Sequence, residues 1–332
     1  MAEACAPAQL RGTNWLDTAD IIGGETGDTR VLPLLPERGI IADAVARTVS
    51  LLDGLHAERG PRSWRLSPRP QRLTWAARDL WERDLDGLEE LWGSCGGTVT
   101  IPLLGPWSLV TRVELAGGHR ALTDGGVLRD LPGMYAQAFA DLARAAHRRF
   151  GARCAILLLE PELSALHAGT VPGTSDFDTI PAIPAPRLTR VLHELLEIVP
   201  SGESAPEITL SFGMQQVLWD VAEGCGAHRV DLALRTVWGS RDLDGLGSLL
   251  SQGTSLSLAL DAAAGEEPQD SARRLARLWR TLGFDPSSLS GDVLLRGRDD
   301  AEVSSSAGLV PLLRSLSASA EILSRDAGNL LL

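Results

Sequence analysis

The chain has 332 residues, of which 44% are hydrophobic and 22% are charged. This composition predicts a globular protein with one large core rather than a disordered chain. The formal net charge of −12 disfavours binding to nucleic acid, because the phosphate backbone is itself negative. Apart from histidine, every basic residue is arginine, so neither a lysine Schiff base nor a lysine general base is possible.

The amino terminus has no basic segment followed by an apolar run, and no apolar stretch approaches the ~20 residues needed to span a bilayer. We therefore expect no secretory signal, no membrane partner and a cytoplasmic location. The cysteines are widely spaced, without a CxxC or HxC pair, which favours free thiols over a sequence-local metal site: Cys5, Cys95, Cys154 and Cys225.

Apolar segments of strand length alternate with longer segments of helical period, a pattern typical of a parallel sheet. The predicted strands are residues 9–13, 64–66, 98–104, 154–159, 208–212, 230–234, 255–260 and 293–296. The predicted helices are residues 42–57, 73–91, a short helix from 107, 117–150 in two pieces, 187–198, 215–223, 243–250, 270–282 and 308–324. Residues 1–8 are expected to be flexible, and the Gly-rich residues 17–30 are expected to form an irregular excursion.

Eight strands with helices between them predict an α/β protein, a single (β/α)8 TIM-type barrel domain over residues 1–332. A doubly wound open sheet is the alternative. In a barrel, ligands bind where the strands end, so the candidate site consists of the polar and aromatic residues at the predicted strand ends. These are Thr13, Asn14, Trp64, residues 105–107, Glu160, Ser211, Asp231, Asp261 and Arg296.

Two carboxylates are the candidate catalytic residues. Glu160 ends an apolar strand and precedes Pro161, which favours a carboxylate at the barrel mouth that acts as a base or binds an ammonium group. A helix cap or an ion pair with arginine is the alternative. Asp231 lies inside an apolar strand, where an isolated charge is costly, so it must be paired with arginine or bound to a metal.

The other catalytic motifs that we considered are missing. Of the histidines, His167 alone could reach the site, and no GxSxG, P-loop or GxGxxG follows a strand. Serine-nucleophile hydrolysis, nucleotide hydrolysis and dinucleotide redox chemistry are therefore not indicated.

Several segments resemble one family. Residues 32–52, 63–66, 104–109 and 158–175 and the RVDLAL segment at 229–234 are similar to short actinobacterial proteins related to the catalytic domain of cobalamin-independent methionine synthase. The resemblance implies a TIM-type barrel of the superfamily that also contains uroporphyrinogen decarboxylase. It also implies zinc, which activates homocysteine as a thiolate for attack on the methyl group of methyltetrahydrofolate.

The zinc ligands that the resemblance implies are mostly missing. The family's His-x-Cys pair falls on Ser211 and Gly213, its carboxylate falls on Asp231, and its late cysteine falls near residues 295–297, where there is none. We expect no metal site and no cofactor, unless residues distant in sequence such as Cys95 or His167 supply zinc ligands.

The resemblance also implies substrate contacts. A segment that holds the amino-acid carboxylate is similar to Thr13, Asn14 and Trp15, and Trp107 could stack on a pterin. Glu160 matches one of two family carboxylates, and Ser211 would face the same pocket.

Three functions follow from these observations. The first is a diverged member with a lost zinc and homocysteine site, which binds a small molecule such as an amino acid or folate-like compound at the barrel mouth, or a protein partner or second copy. The second is an active methyltransferase that uses Glu160 and Asp231. The third, resembling the decarboxylases, is metal-free chemistry through arginine contacts, with Arg235 and Arg296 as candidates.

Overall fold

Eight parallel strands form the main sheet of the computed structural model, which describes residues 1–174, 179–200, 202, 204–260, 267–291, 293–299 and 306–331. The strands in these residues are β1 (Glu3–Cys5), β2 (Thr29–Val31), β3 (Ala57–Arg59), β4 (Trp64–Leu66), β5 (Thr98–Leu104), β6 (Val113–Glu114), β7 (Arg153–Leu159), β8 (Glu207–Ser211), β9 (Arg229–Ala233), β10 (Ser255–Leu260) and β11 (Val293–Gly297). The main sheet has the order β1-β11-β10-β9-β8-β7-β5-β2, and β3, β4 and β6 form a smaller side sheet.

Helices connect and surround these strands. They are α1 (Trp15–Thr26), α2 (Ala44–Leu51), α3 (Arg72–Trp92), α4 (Pro106–Arg112), α5 (Gly125–Phe150), α6 (Leu163–Ala168), α7 (Ala185–Ile198), α8 (Trp219–Gly224), α9 (Ser240–Ser251), α10 (Pro268–Thr281) and α11 (Ser306–Asp326). In the part of the chain that the structure describes, no helix is both long and apolar enough to cross a membrane.

The main sheet curls into a nearly closed barrel, so the predicted (β/α)8 TIM-type fold is confirmed and the open sheet is excluded. Its two edge strands, β1 and β2, are joined by a hydrogen bond of 2.8 Å from Thr29 Oγ1 to Glu3 Oε2. Just beyond the strand ends, Leu34 donates its backbone N–H to Ala8 O at 2.7 Å, and Leu10 donates its own to Leu34 O at 2.9 Å. These contacts close the gap that strand pairing leaves open.

The two faces of the barrel strands differ in chemistry. Successive side chains of a strand point to opposite faces. In β9, Val230 and Leu232 are fully buried apolar residues, whereas Asp231 between them contacts Ser211 and Ser257 of the neighbouring strands. The apolar face packs outward against the helices, and the barrel interior is polar.

The first quarter of the chain corrects three predictions about the strands. Residues 1–8, expected to be flexible, contain the buried first strand β1, and residues 9–13 do not form that strand. The second barrel strand is β2, while the predicted strand at Trp64–Leu66 belongs to the side sheet. The strands β1 and β2 have three residues each, too few to show a hydrophobic period.

The Gly-rich residues expected to form an irregular excursion are mostly helix α1. Its glycines allow close helix packing: a Cβ on Gly23 would lie 2.8 Å from Trp92 Nε1, and one on Gly87 of α3 would lie 2.9 Å from Leu16 Cδ2. Glycine here indicates a close approach of α1 and α3 rather than a loop.

Later elements match the predictions more closely. The strands β5 and β10 have the predicted bounds, and the remaining late strands are shifted by a residue or extended by one. The region before Phe150, expected in two pieces, is one helix from Gly125 that contains Pro132. Asp124 caps this helix, since its side chain accepts hydrogen bonds from the backbone N–H groups of Gly126 and Val127.

Two glycines of α9 test how closely this helix packs against Trp219 of α8. A Cβ on Gly245 would overlap the indole ring of Trp219, whereas one on Gly247 would meet only Leu282 at 4.0 Å. Alanine at a helical glycine gains about 1 kcal/mol of helix propensity, but overpacking costs about 1–3 kcal/mol. We expect Gly245→Ala to lower the urea midpoint and Gly247→Ala to leave it equal or higher. Equal midpoints for the two variants would contradict the packing of Trp219 on α9.

Candidate functional site

Asp231 is a charged residue of the barrel interior whose side chain has no solvent exposure. Its carboxylate accepts a bidentate pair of bonds from Arg296, at 2.9 Å from Nε and 2.8 Å from Nη2. Ser211 donates to the same carboxylate at 2.6 Å and Ser257 at 2.7 Å. Both oxygens are therefore occupied, which agrees with the arginine-pairing alternative for Asp231.

Arg296 extends this network to the amino-terminal segment. It is 1% exposed, and its Nη1 donates to Asp299 Oδ1 at 2.7 Å. The same Asp299 oxygen accepts the backbone N–H of Ala8 at 2.7 Å and that of Gln9 at 3.2 Å. Burial beside this network raises the pKa of the Cys5 thiol to about 12, so Cys5 is held as a neutral thiol.

Glu160 lies at the start of α4 and not in an open barrel mouth. Its side chain is fully buried and accepts the backbone N–H groups of Trp107 at 2.9 Å and Ser108 at 2.7 Å. Gly105 is needed beside it, because a Cβ there would overlap the Glu160 carboxylate. The geometry is that of a carboxylate capping a helix amino terminus, the alternative considered for this residue.

Burial and hydrogen bonding act on Glu160 in opposite directions. Burial raises its pKa to about 8, while the N–H groups of α4 favour the charged form. Burial is the larger effect, so the carboxyl group holds its proton more tightly than it would in water.

Two other predicted contact residues are enclosed in the protein. Trp107 is fully buried, and its indole N–H donates to Leu188 O at 3.0 Å, so its ring packs between α4 and α7. Ser211 is also fully buried, and its hydroxyl accepts the Gly213 N–H at 3.1 Å while donating to Asp231.

The segment predicted to hold the carboxylate of a substrate amino acid, Thr13 to Trp15, forms the start of α1. Asn14 caps the helix by accepting the Asp17 N–H, and Thr13 is exposed. Trp15 is buried under two guanidinium groups, with Arg38 at 5.3 Å and Arg47 at 5.6 Å from its ring centroid. Trp64, in the side sheet, donates its indole N–H to Asp43 at 2.9 Å. Thr13, Asn14 and Trp15 follow β1 whereas Glu160 follows β7, and no described hydrogen bond links the two groups. Asp261 lies outside the described residues.

The distant residues considered as zinc ligands lie at opposite ends of the barrel. Cys95 precedes the first residue of β5, and His167 is in α6, which follows the last residue of β7. A seven-residue strand spans about 20 Å at ~3.3 Å per residue, so these two side chains cannot share a metal. Within the described ranges, no three His, Cys, Asp or Glu side chains form a group able to hold a metal ion.

A groove of about 530 Å³ lies on the carboxyl side of the barrel. We call it the carboxyl-face groove, and it is built by segments that follow β1, β2, β5 and β7, including the guanidinium groups of Arg62, Arg112 and Arg120. Sequence reasoning missed these arginines, because their partners come from other loops. Arg112, for example, pairs through Nε with Glu162 Oε1 at 2.7 Å.

The positive groups of the groove are more exposed than the negative ones. Arg62 is 49% exposed, whereas Glu114, its partner at 3.1 Å, is 5% exposed. Burial raises the pKa of Asp43, which accepts from Ala46 N at 2.7 Å. In the described part of the chain, no hydrogen bond engages the two terminal nitrogens of Arg112. The two terminal nitrogens of a guanidinium group carry parallel N–H donors, which match two oxygens of a carboxylate or phosphate.

No protein-family model and no curated protein sequence matches the chain. A solved B12-independent methionine synthase from Shewanella sp. is similar with a TM-score of 0.60 and 10% identity, over 97% of this chain and 98% of that one. Methylaspartate ammonia lyase from Clostridium tetanomorphum has a TM-score of 0.47 and 12% identity, and this chain, covered in full, spans 58% of its length. A β-glycosidase from Thermosphaera aggregans has a TM-score of 0.45 and 10% identity, over 96% of this chain and 88% of that one.

Identities this low show a shared fold alone. The similarity to the methionine synthase supports the TIM-type barrel fold of this chain.

The raised pKa of Glu160 predicts a pH dependence of stability. The folded state binds the proton more tightly than the unfolded chain, whose carboxyl has a pKa of 4.5, so this contribution is lost as the pH rises from there through about 8. We expect the urea midpoint to fall between pH 5 and pH 9, and Glu160→Gln, which has no charge to bury, to reduce that fall. A fall of the same size in Glu160→Gln would assign the effect to other groups.

The pair between Asp231 and Arg296 predicts strong coupling. Removing one partner of a buried ion pair costs about 3–5 kcal/mol, because the other charge is left uncompensated. We expect Asp231→Asn and Arg296→Met each to lower the free energy of unfolding strongly, and the double variant to lose much less than the sum of the two. Additive losses, measured by urea unfolding of all four proteins, would show that the two groups do not interact.

Proposed function

We propose that this protein is a diverged methionine-synthase-like barrel that binds a small carboxylate-bearing molecule without zinc. The ligand class is an amino acid or a folate-like compound, and the site is the carboxyl-face groove. One observation carries the proposal: the carboxylate that the resemblance would assign to zinc, Asp231, is saturated by Arg296, Ser211 and Ser257.

The replacement of zinc by arginine has a physical basis. A buried carboxylate requires a positive partner, which can be a metal ion or a guanidinium group. Arg296 stands at the place where the resemblance puts the late cysteine ligand, and Ser211 stands where it puts a histidine. A zinc ion here would have to displace a bidentate ion pair, with one carboxylate and two serines in reach. The residues present therefore do not fit zinc.

The ligand class follows from the groove. The terminal nitrogens of Arg112 offer parallel N–H donors, and its pairing with Glu162 fixes the orientation of the guanidinium group. The second oxygen of Glu162 is buried, with no donor among the described residues. An ammonium group that donated to this oxygen would satisfy it and leave the bond between Arg112 and the other oxygen of Glu162 in place. A carboxylate beside an ammonium is the chemistry of an amino acid.

The compartment is part of the same proposal. The structure leaves all four cysteines as free thiols, three of them buried. This favours a reducing environment such as the cytoplasm.

The first test is elemental analysis for zinc on protein purified without chelators, combined with calorimetry using L-homocysteine, L-glutamate and 5-methyltetrahydrofolate. We expect zinc far below one ion per chain and binding of at least one of these carboxylates. Arg112→Gln should weaken that binding roughly tenfold, since a charge-assisted hydrogen bond contributes about 1.5–3 kcal/mol.

The matched control is Arg129→Gln, which makes the same change at an arginine with a 78% exposed side chain outside the groove. It should bind as the parent does. Near-equimolar zinc with methyl transfer to homocysteine would favour the alternative, an active methyltransferase. Binding that Arg112→Gln leaves unchanged would remove the groove from the proposal.

A further inference from the structure

A second space lies inside the barrel at its other end. This amino-end cavity has a volume of about 250 Å³ and is lined by the first residues of most barrel strands, among them Thr29, Arg153 and Arg229. It extends inward to Ser257 and Arg296. The carboxyl-face groove lies beyond the opposite ends of the strands, so the two spaces are separate.

The cavity exists because the residues that face the barrel axis are short. The interior of a TIM barrel is ordinarily filled by layers of bulky branched apolar side chains. Here the inward positions include Thr100, Ala155, Thr209 and Ser257, whose short side chains leave room, and three of them carry hydroxyl groups. About 250 Å³ is the volume of roughly eight water molecules at ~30 Å³ each, or of a small metabolite.

Two arginines at the cavity have guanidinium nitrogens that no described carboxylate engages. Arg229 pairs with Glu207 at 3.0 Å, but its Nε is buried without a hydrogen-bond partner in the described residues. Arg153 donates to Thr98 Oγ1 at 3.2 Å, and no described carboxylate lies within ion-pair distance of it. The carboxylates of Glu3 and Glu207 also line the cavity, and Glu3 accepts from Thr29 at 2.8 Å. The unpaired buried Nε of Arg229 is costly, and an anion would satisfy it while contacting the exposed guanidinium group of Arg153.

We propose that the amino-end cavity is a second binding site, for a small hydroxylated anion. The anionic group, carboxylate or phosphate, contacts Arg153 and the Nε of Arg229. Hydroxyl groups of the ligand exchange hydrogen bonds with the threonine and serine side chains of the inner wall. The ion pair of Arg296 with Asp231 stays intact as the floor, since its donors and acceptors are already matched.

The experiment is calorimetry of the full chain with D-glycerate, glycerol 3-phosphate and inorganic phosphate. We expect one of the two hydroxylated anions to bind more tightly than inorganic phosphate, and the better of the two identifies the anionic group. Arg153→Gln should weaken binding roughly tenfold, as expected for the loss of a charge-assisted hydrogen bond. Ala155→Leu, which fills the cavity without removing a polar group, should abolish it.

Two controls separate this site from the carboxyl-face groove. Arg129→Gln should bind these anions as the parent does, because Arg129 lines neither space, whereas Arg112→Gln reports which of the two sites an anion occupies. Circular dichroism checks that Ala155→Leu folds, and Arg153→Gln, at an exposed position, keeps the test valid if it does not. The proposal fails if none of the three anions binds, or if Arg153→Gln binds as the parent does. Loss of binding in Arg112→Gln would assign the anions to the groove.

Discussion

The buried ion pair between Asp231 and Arg296 is the constraint on which the rest of the barrel interior depends. Two serines from neighbouring strands complete its hydrogen bonds, and Asp299 connects it to the backbone of the amino-terminal segment. One polar cluster thereby holds five of the eight barrel strands in register, namely β8, β9, β10, β11 and, through its continuation at Ala8, β1. A hydrophobic interior would supply only non-directional packing. A buried pair of this kind stabilises only because every donor and acceptor is matched.

A polar cluster at the barrel axis has consequences at both ends. Short hydroxylated side chains accompany it below, so the interior is not filled and the amino-end cavity remains. At the carboxyl end, Glu160 caps α4 and Trp107 of α4 packs against α7. Both side chains therefore stabilise the fold and are buried. What faces solvent on the carboxyl side is the arginine-rich groove, formed by loops rather than by strand ends.

The sequence predicted the elements whose signal is local. The strands β5 and β10 have the predicted bounds, since each is a run of apolar or alternating residues of strand length. The strands β1 and β2 escaped prediction because three residues such as Glu3–Cys5 carry no periodic pattern. For the site, burial of a charge in RVDLA predicted that Asp231 needs a partner, but its partner lies 65 residues away. The groove arginines were not predictable, since Arg112 and Glu162 meet only through the fold.

The buried carboxylate of Asp231 imposes one requirement on the residues around it. A carboxylate in the barrel interior needs a compensating positive charge, and Arg296 provides it through a bidentate ion pair. Arginine and metal exclude each other there, because both would occupy the same two oxygens of Asp231. Replacement of Arg296 alone would leave a buried carboxylate without a cation, and replacement of Asp231 alone would leave a buried guanidinium group without an anion. Each change costs several kcal/mol. The ion pair therefore compensates the charge of Asp231 by itself, and each partner depends on the other for its place in the interior.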